Sequence, residues 1–180
     1  MIEKVKRILK IIDRANEILA RIDAYVLLLA MFLVPYEVVV RYVFNSPTSW
    51  SMEMTQFLFC TMVALGGGWV LLKGSHVNVD IIYNRFGIRT RAVISILTSL
   101  LVFLFLFLVF RQNLAEALRS LSWRETSASG WNPPLYPIKL IIPLGVLLLL
   151  LQSIAMFARY IIQAITGVEE IKIESLTGQE

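Results

Sequence analysis

The chain has 180 residues, 57% of them hydrophobic and only 17% charged, with a mean hydropathy of +0.71. A water-soluble domain of this length cannot bury so much apolar surface, so the composition indicates an integral membrane protein. The net charge of +4 comes without an interleaved basic and aromatic surface, which argues against nucleic-acid binding, and a single cysteine and a single histidine exclude an internal disulfide and bis-histidine haem.

Residues 2–22 read as an amphipathic helix. Ile2, Val5, Leu9, Ile12, Ala15, Leu19 and Ile22 recur at three- or four-residue spacing, with Lys4, Lys6, Arg7, Lys10, Arg14 and Glu17 around them. Such a segment is too polar to cross a bilayer and suits the headgroup layer, so residues 1–23 are expected as an interfacial helix. No signal-peptide pattern is expected, because the first apolar region follows more than 20 charged or amphipathic residues.

Four spans follow, at about 24–44, 53–73, 91–111 and 139–159, within a transmembrane domain of residues 24–165. In each of the last three, 19 uncharged residues separate bounding charges: Glu53 and Lys73, Arg91 and Arg111, Lys139 and Arg159. At ~1.5 Å rise per residue such a window covers roughly 28 Å, close to the ~30 Å hydrocarbon core. The first span reaches that length only if Glu37 is admitted. Arg41 lies one turn further on, where each charge offsets the other's desolvation, and Pro35 is a candidate kink.

In the second span Ala64 and Gly68 stand four apart beside the run Gly66-Gly67-Gly68, a pattern that favours close helix packing over a local break lining a pathway. Cys60 in the same span reads as a small packing residue. Ser75 is positioned to cap a short helix whose apolar face holds Val77, Ile81, Ile82 and Phe86. The long third loop, 112–138, begins as a helical extension to Arg124. It then breaks at the Ser127–Pro137 run SASGWNPPLYP, whose prolines end helices and whose aromatics suit an interface. Residues 166–180 form a polar tail.

Four spans place both termini on one side. With that side cytoplasmic, twelve basic residues lie inside and five outside, so the positive-inside rule predicts cytoplasmic termini.

Chemistry has few places to reside. A zinc site on His76 and Asp80 lacks two further ligands nearby in sequence. The three clean spans hold no ionisable group apart from the thiol, and Glu37 beside Arg41 reads as a structural ion pair rather than a coupling acid. Accordingly no catalytic, cofactor-binding or metal-ligating residue is expected.

The run from Arg41 to Phe59, RYVFNSPTSWSMEMTQFLF, followed by LGGGWVLLKGSHVNVDII from Leu65 to Ile82, resembles the small membrane subunit of the tripartite ATP-independent periplasmic (TRAP) transporters. NPPLYPIKLIIPLG, Asn132 to Gly145, is similar to the family's entry into its last helix, and the likeness covers about residues 24–165. The glycine triplet departs from the G-A of many relatives. The resemblance implies a non-enzymatic subunit in a bacterial inner membrane, paired with a large permease that carries the substrate and sodium sites. A periplasmic binding protein would deliver the solute, typically an organic acid. It implies no cofactor here. Arg41, Trp50, Glu53, Lys73, His76 and Asp80 are then family-motif or partner-interface candidates, and Trp131 a candidate periplasmic contact. A substitution His76→Ala is expected to weaken assembly or uptake modestly without changing the coupling ion. Two other readings stand beside this one: a four-helix scaffold for an unrelated membrane complex, and a small self-sufficient carrier using Glu37.

Overall fold

A computed structural model describes residues 2–73 and 87–166; His76, Asp80, the Ser75 cap and the tail lie outside the described residues. Among the described residues there are four helices: α1 (Ile2–Tyr42), α2 (Ser51–Leu72), α3 (Ile88–Trp123) and α4 (Tyr136–Thr166). Each contains a stretch long and apolar enough to cross a membrane. Among the described residues no strand forms, only an isolated bridge between Thr126 and Pro134.

Local chemistry sets the ends. Glu53 stands in the first turn of α2, where a carboxylate complements the exposed N–H groups, and the Lys73 N–H closes the other end on the Trp69 carbonyl at 3.0 Å. α3 ends at Arg124, whose left-handed φ of 47° turns the chain so that the Glu125 N–H reaches the Ser120 carbonyl at 3.0 Å. α4 carries Pro137 in its first turn, where the missing N–H would have had no helical partner.

The helices form a row, not a ring. α1 packs on α2, α2 on α4 and α4 on α3; α1 touches α4 in a smaller contact, and α1 and α3 form no sizeable contact. α4 is therefore the spine and the most buried of the four. Buried apolar side chains are few, and many small: Ala30, Leu65, Leu106, Ala117, Ala155 and Met156 among them. Phe32, Val63, Leu101 and Phe105 instead point outward. In lipid no hydrophobic force drives large side chains inward, so packing falls to residues that let backbones approach.

The glycine seam does this. A Cβ on Gly145 of α4 would lie 2.2 Å from the Ala64 carbonyl oxygen of α2. One on Gly68 would meet Asn16 Oδ1 at 2.1 Å, and one on Gly66 would meet Asp23 Oδ2 at 3.1 Å. The Ala64–Gly68 stretch is thus a contact surface on two sides, with α4 and with α1.

α1 runs across residue 23, the expected boundary between the amphipathic segment and the first span. It is one helix of 41 residues, with no break between the amphipathic segment and the span, and it continues through Pro35. Asp13, Asn16 and Asp23 stand alongside α2 and α4 rather than beyond them. The helix is also turned: Asn16 is fully buried, whereas Ile11, Ile18 and Ile22 are exposed. The physical reason is partner supply. α4 offers Gln152 and Arg159 to the polar residues of α1, while isoleucines lose little by facing lipid.

Candidate functional site

Two polar clusters stand at opposite ends of the helices, one near the start of α2 and one toward its end. The first joins the end of α1, the start of α2 and the loop between α3 and α4. Glu37 Oε1 accepts from Arg41 Nη2 at 2.8 Å and Nε at 3.2 Å, and Glu37 Oε2 accepts from the Thr48 hydroxyl. Both carboxylate oxygens are therefore occupied, and the pair expected from spacing is present.

Glu53 works across the loop. It accepts hydrogen bonds from the hydroxyls of Ser127 and, at 2.8 Å, Ser129. Ser129 Oγ in turn accepts from the N–H groups of Trp131 and Asn132 at 3.3 and 3.2 Å. The bridge beside it is closed by Ser127 N–H to the Pro133 carbonyl and Leu135 N–H to the Glu125 carbonyl, both 2.9 Å. This carboxylate thus orders the loop that presents Trp131. Trp131 lies 6.4 Å from Trp50, and Trp50 6.3 Å from Tyr36, centroid to centroid, so the sequence-predicted Trp50, Glu53 and Trp131 meet in one place.

Lys139 completes this end, donating to Glu125 at 2.6 Å and Glu116 at 3.2 Å. The Lys139 ammonium holds the Glu125 carboxyl below the usual carboxylate range. Lys73 stands apart at the far end of α2, exposed and not joined to these groups.

The second cluster lies at the Lys73 end. Arg159 of α4 donates to Asp13 Oδ2, Gln152 Nε2 donates to Asp13 Oδ1 at 3.0 Å, and Asn16 Nδ2 donates to Gln152 Oε1 at 2.8 Å. The direction of this chain is dictated from one end. An ionised Asp13 only accepts, so Gln152 must turn its amide nitrogen toward Asp13 and its oxygen toward Asn16. Asn16 then presents Nδ2 to Gln152, and also to the Ile12 carbonyl at 3.1 Å. Its Oδ1 faces Gly68 without a conventional donor, in a position that only a glycine leaves open.

Sequence reasoning misses this cluster, because periodicity places Asp13 and Asn16 with the helix's polar residues on the headgroup side. A signal is present in α4, where Gln152-Ser153 interrupts a run of leucines. A buried amide in a spanning helix demands a partner, and α1 carries the nearest polar candidates.

In the two clusters the hydroxyls that meet a carboxylate, Thr48 at Glu37 and Ser127 and Ser129 at Glu53, donate hydrogen bonds that tie segments together. Their bonds join helices and order a loop. The family described as "Tripartite ATP-independent periplasmic transporters, DctQ component" matches residues 30–163, nearly three-quarters of the chain. The chain belongs to the DctQ family. It is accordingly a multi-pass protein of the bacterial inner membrane, in a family of transporter components. A C4-dicarboxylate TRAP transporter small permease protein DctQ of Vibrio cholerae is 35% identical over 63 residues, covering 34% of this chain and 27% of that protein. A Haemophilus influenzae protein named as a TRAP transporter small permease is 30% identical over 98 residues, covering 54% of this chain and 59% of its own length. The matches thus span about a quarter and somewhat over half of these two relatives. The expectation of a TRAP small subunit agrees with the DctQ match, which covers most of the 24–165 region that carried the resemblance.

Proposed function

We propose that this chain is the small, non-enzymatic permease subunit of a TRAP transporter, a fixed scaffold for a large permease subunit with which it forms a heterodimer. The observation that carries this reading is the saturation of Glu37 by Arg41 and Thr48. The acid a self-sufficient carrier would need is committed to holding α1 against the turn before α2. Solute and ion sites then belong to the large subunit, a periplasmic binding protein delivers the solute, and a sodium gradient drives uptake. The name of the Vibrio relative points to C4-dicarboxylates as a first solute class to assay.

The twelve-to-five division of basic residues supports a cytoplasmic placement of both termini. The Glu53-ordered loop with Trp131 then faces the periplasm, where it is a contact candidate for the binding protein. The start of α1 reaches the cytoplasmic headgroup layer. Arg41, Trp50, Glu53, Lys73, His76 and Asp80 remain the motif positions to test at the interface with the large subunit.

Reconstitution tests the assignment. This chain alone in liposomes should give no uptake, while uptake should appear with the large subunit, the binding protein and a sodium gradient. Glu37→Gln in the full system should retain most transport. Uptake by the isolated chain, abolished by that substitution, would establish the carrier reading. Failure of the two membrane chains to co-purify in mild detergent would count against the scaffold role.

A further inference from the structure

We propose that the outward stripe of α1 formed by Arg7, Lys10, Arg14 and Arg21 is a binding site for an anionic phospholipid of the cytoplasmic leaflet. Its phosphate is held by the basic groups and its acyl chains lie along Ile11, Ile18 and Ile22. The leaflet rests on the cytoplasmic placement of the N-terminus given above.

Spacing puts the four cations on one face, since positions three, four and seven apart in a helix lie above one another. That face is turned away from the bundle: all four residues are exposed, whereas Leu9 and Asn16 are buried. None of the four makes a hydrogen bond or ion pair among the described residues. Elsewhere Arg41, Arg119, Lys139 and Arg159 each have a carboxylate of the chain as partner. The stripe's own acid, Glu17, is exposed and pairs with none of them.

The apolar neighbours repeat with the same register. Ile11 follows Arg7 by four positions, Ile18 follows Arg14, and Tyr25 follows Arg21, each strongly exposed at 64%, 51% and 73%. Every arginine therefore has an apolar side chain one turn deeper in the membrane. Helical side chains lean toward the helix N-terminus, which here is the headgroup side, so Arg14 and Arg21 extend toward phosphate without leaving the helix face.

The level is set by the second polar cluster. Asp13 meets Arg159, which lies 20 residues beyond Lys139 in α4, or about 30 Å at the usual helical rise, a full hydrocarbon thickness. Lys10 and Arg14 flank Asp13 and so stand at the membrane boundary. A headgroup phosphate offers the charge that the stripe lacks, and an acyl chain offers the apolar column below it.

The test uses the full chain in mild detergent, with native mass spectrometry counting retained lipid. Phosphatidylglycerol and phosphatidylcholine of identical acyl chains are compared. The wild-type chain should prefer phosphatidylglycerol, and Lys10→Gln/Arg14→Gln should cut that preference roughly 25-fold, about fivefold per charge. Arg111→Gln/Arg124→Gln removes equal charge elsewhere and should leave the preference within about twofold, by the same per-site reckoning. An unchanged preference in the α1 variant, or an equal loss in both variants, would overturn the site. So would loss of the preference in the complex with the large subunit, which would make the stripe a protein interface. Orientation is read separately, by an impermeant maleimide on Arg7→Cys in a Cys60→Ser background. Labelling from outside intact cells would defeat the cytoplasmic placement and the leaflet, whatever the lipid count. Protection there together with the expected lipid preference supports both.

Discussion

Gly145 of α4 and Ala64 of α2 pack backbone to backbone, so closely that the space for a Cβ on Gly145 is filled by the Ala64 carbonyl. Neither residue is polar, and neither would draw notice as a functional position. Their contact nevertheless fixes how near the spine helix stands to α2. Gly145→Ala should force the helices apart and cost about 1–3 kcal/mol, as overpacking does. The midpoint of thermal unfolding in detergent should fall, and Gly145→Leu should fall further. An unchanged midpoint for both would mean that the helices are not held at this distance.

Asn16 and Gly68 are predicted to be coupled. Gly68→Ala alone collides with Asn16 Oδ1, which cannot turn away while Asp13 fixes the direction of the hydrogen-bond chain. Asn16→Ala alone loses an interhelical bond worth roughly 0.6 kcal/mol on average in membranes. With both substitutions the collision is gone, so the pair should be less damaging than the sum of its parts. A double-mutant cycle by thermal unfolding measures this, and additivity would refute it.

Asp13 and Arg159 join the two ends of the chain. Arg159→Met leaves Asp13 without its cation near the membrane boundary and should destabilise the protein. Asp13→Leu combined with Arg159→Met should recover part of the loss, since an apolar pair lacks the desolvation cost of a lone charge. Melting of the three variants decides the order. A double variant less stable than Arg159→Met would contradict it.

Glu53→Gln should loosen the outer loop without unfolding the helices. The weaker acceptor releases Ser127 and Ser129, and Trp131 loses its ordered place beside Trp50. With Trp69 and Trp123 replaced by Phe and Trp50 kept, the fluorescence of the Trp50–Trp131 pair should become more quenchable by a soluble agent. Equal quenching with and without the Glu53→Gln substitution would show that the loop orders itself.

The Glu125–Lys139 bond predicts an acid-sensitive contact. The Glu125 carboxyl titrates below its ordinary value of 4.5 because Lys139 donates to it. A lowered folded-state value means that the carboxylate favours the folded form above the ordinary range. That contribution is lost as pH falls through the folded-state value. Loop protection from protease should decline only below about pH 4.5, the ordinary carboxylate range. Lys139→Met should remove that step. A decline near neutral pH would assign the sensitivity to another group.

Spans, their number and the Glu37–Arg41 pair can be read from residues alone, because membrane thickness and helical spacing are one-dimensional rules. The three windows bounded by Glu53 and Lys73, Arg91 and Arg111, and Lys139 and Arg159 follow from length and charge. The close packing expected of the glycine triplet is met at Gly66 and Gly68, while Gly67 has ordinary room for a side chain. Residues 1–23 are different. Their period predicts a helix, and the helix forms, but periodicity does not say which face meets which neighbour.

What the sequence determined by itself is the membrane class, the helical content and the family pattern, all fixed by local composition and order. The tertiary structure decided the row of helices, the turning of α1 and the chain from Arg159 through Asp13 and Gln152 to Asn16. It also decided that Glu53 orders the loop carrying Trp131. These depend on pairs more than 70 residues apart in the chain for Glu53 and more than 130 for Asn16. A buried polar group must find a donor or acceptor wherever packing places one, and only the folded arrangement says which residue that is.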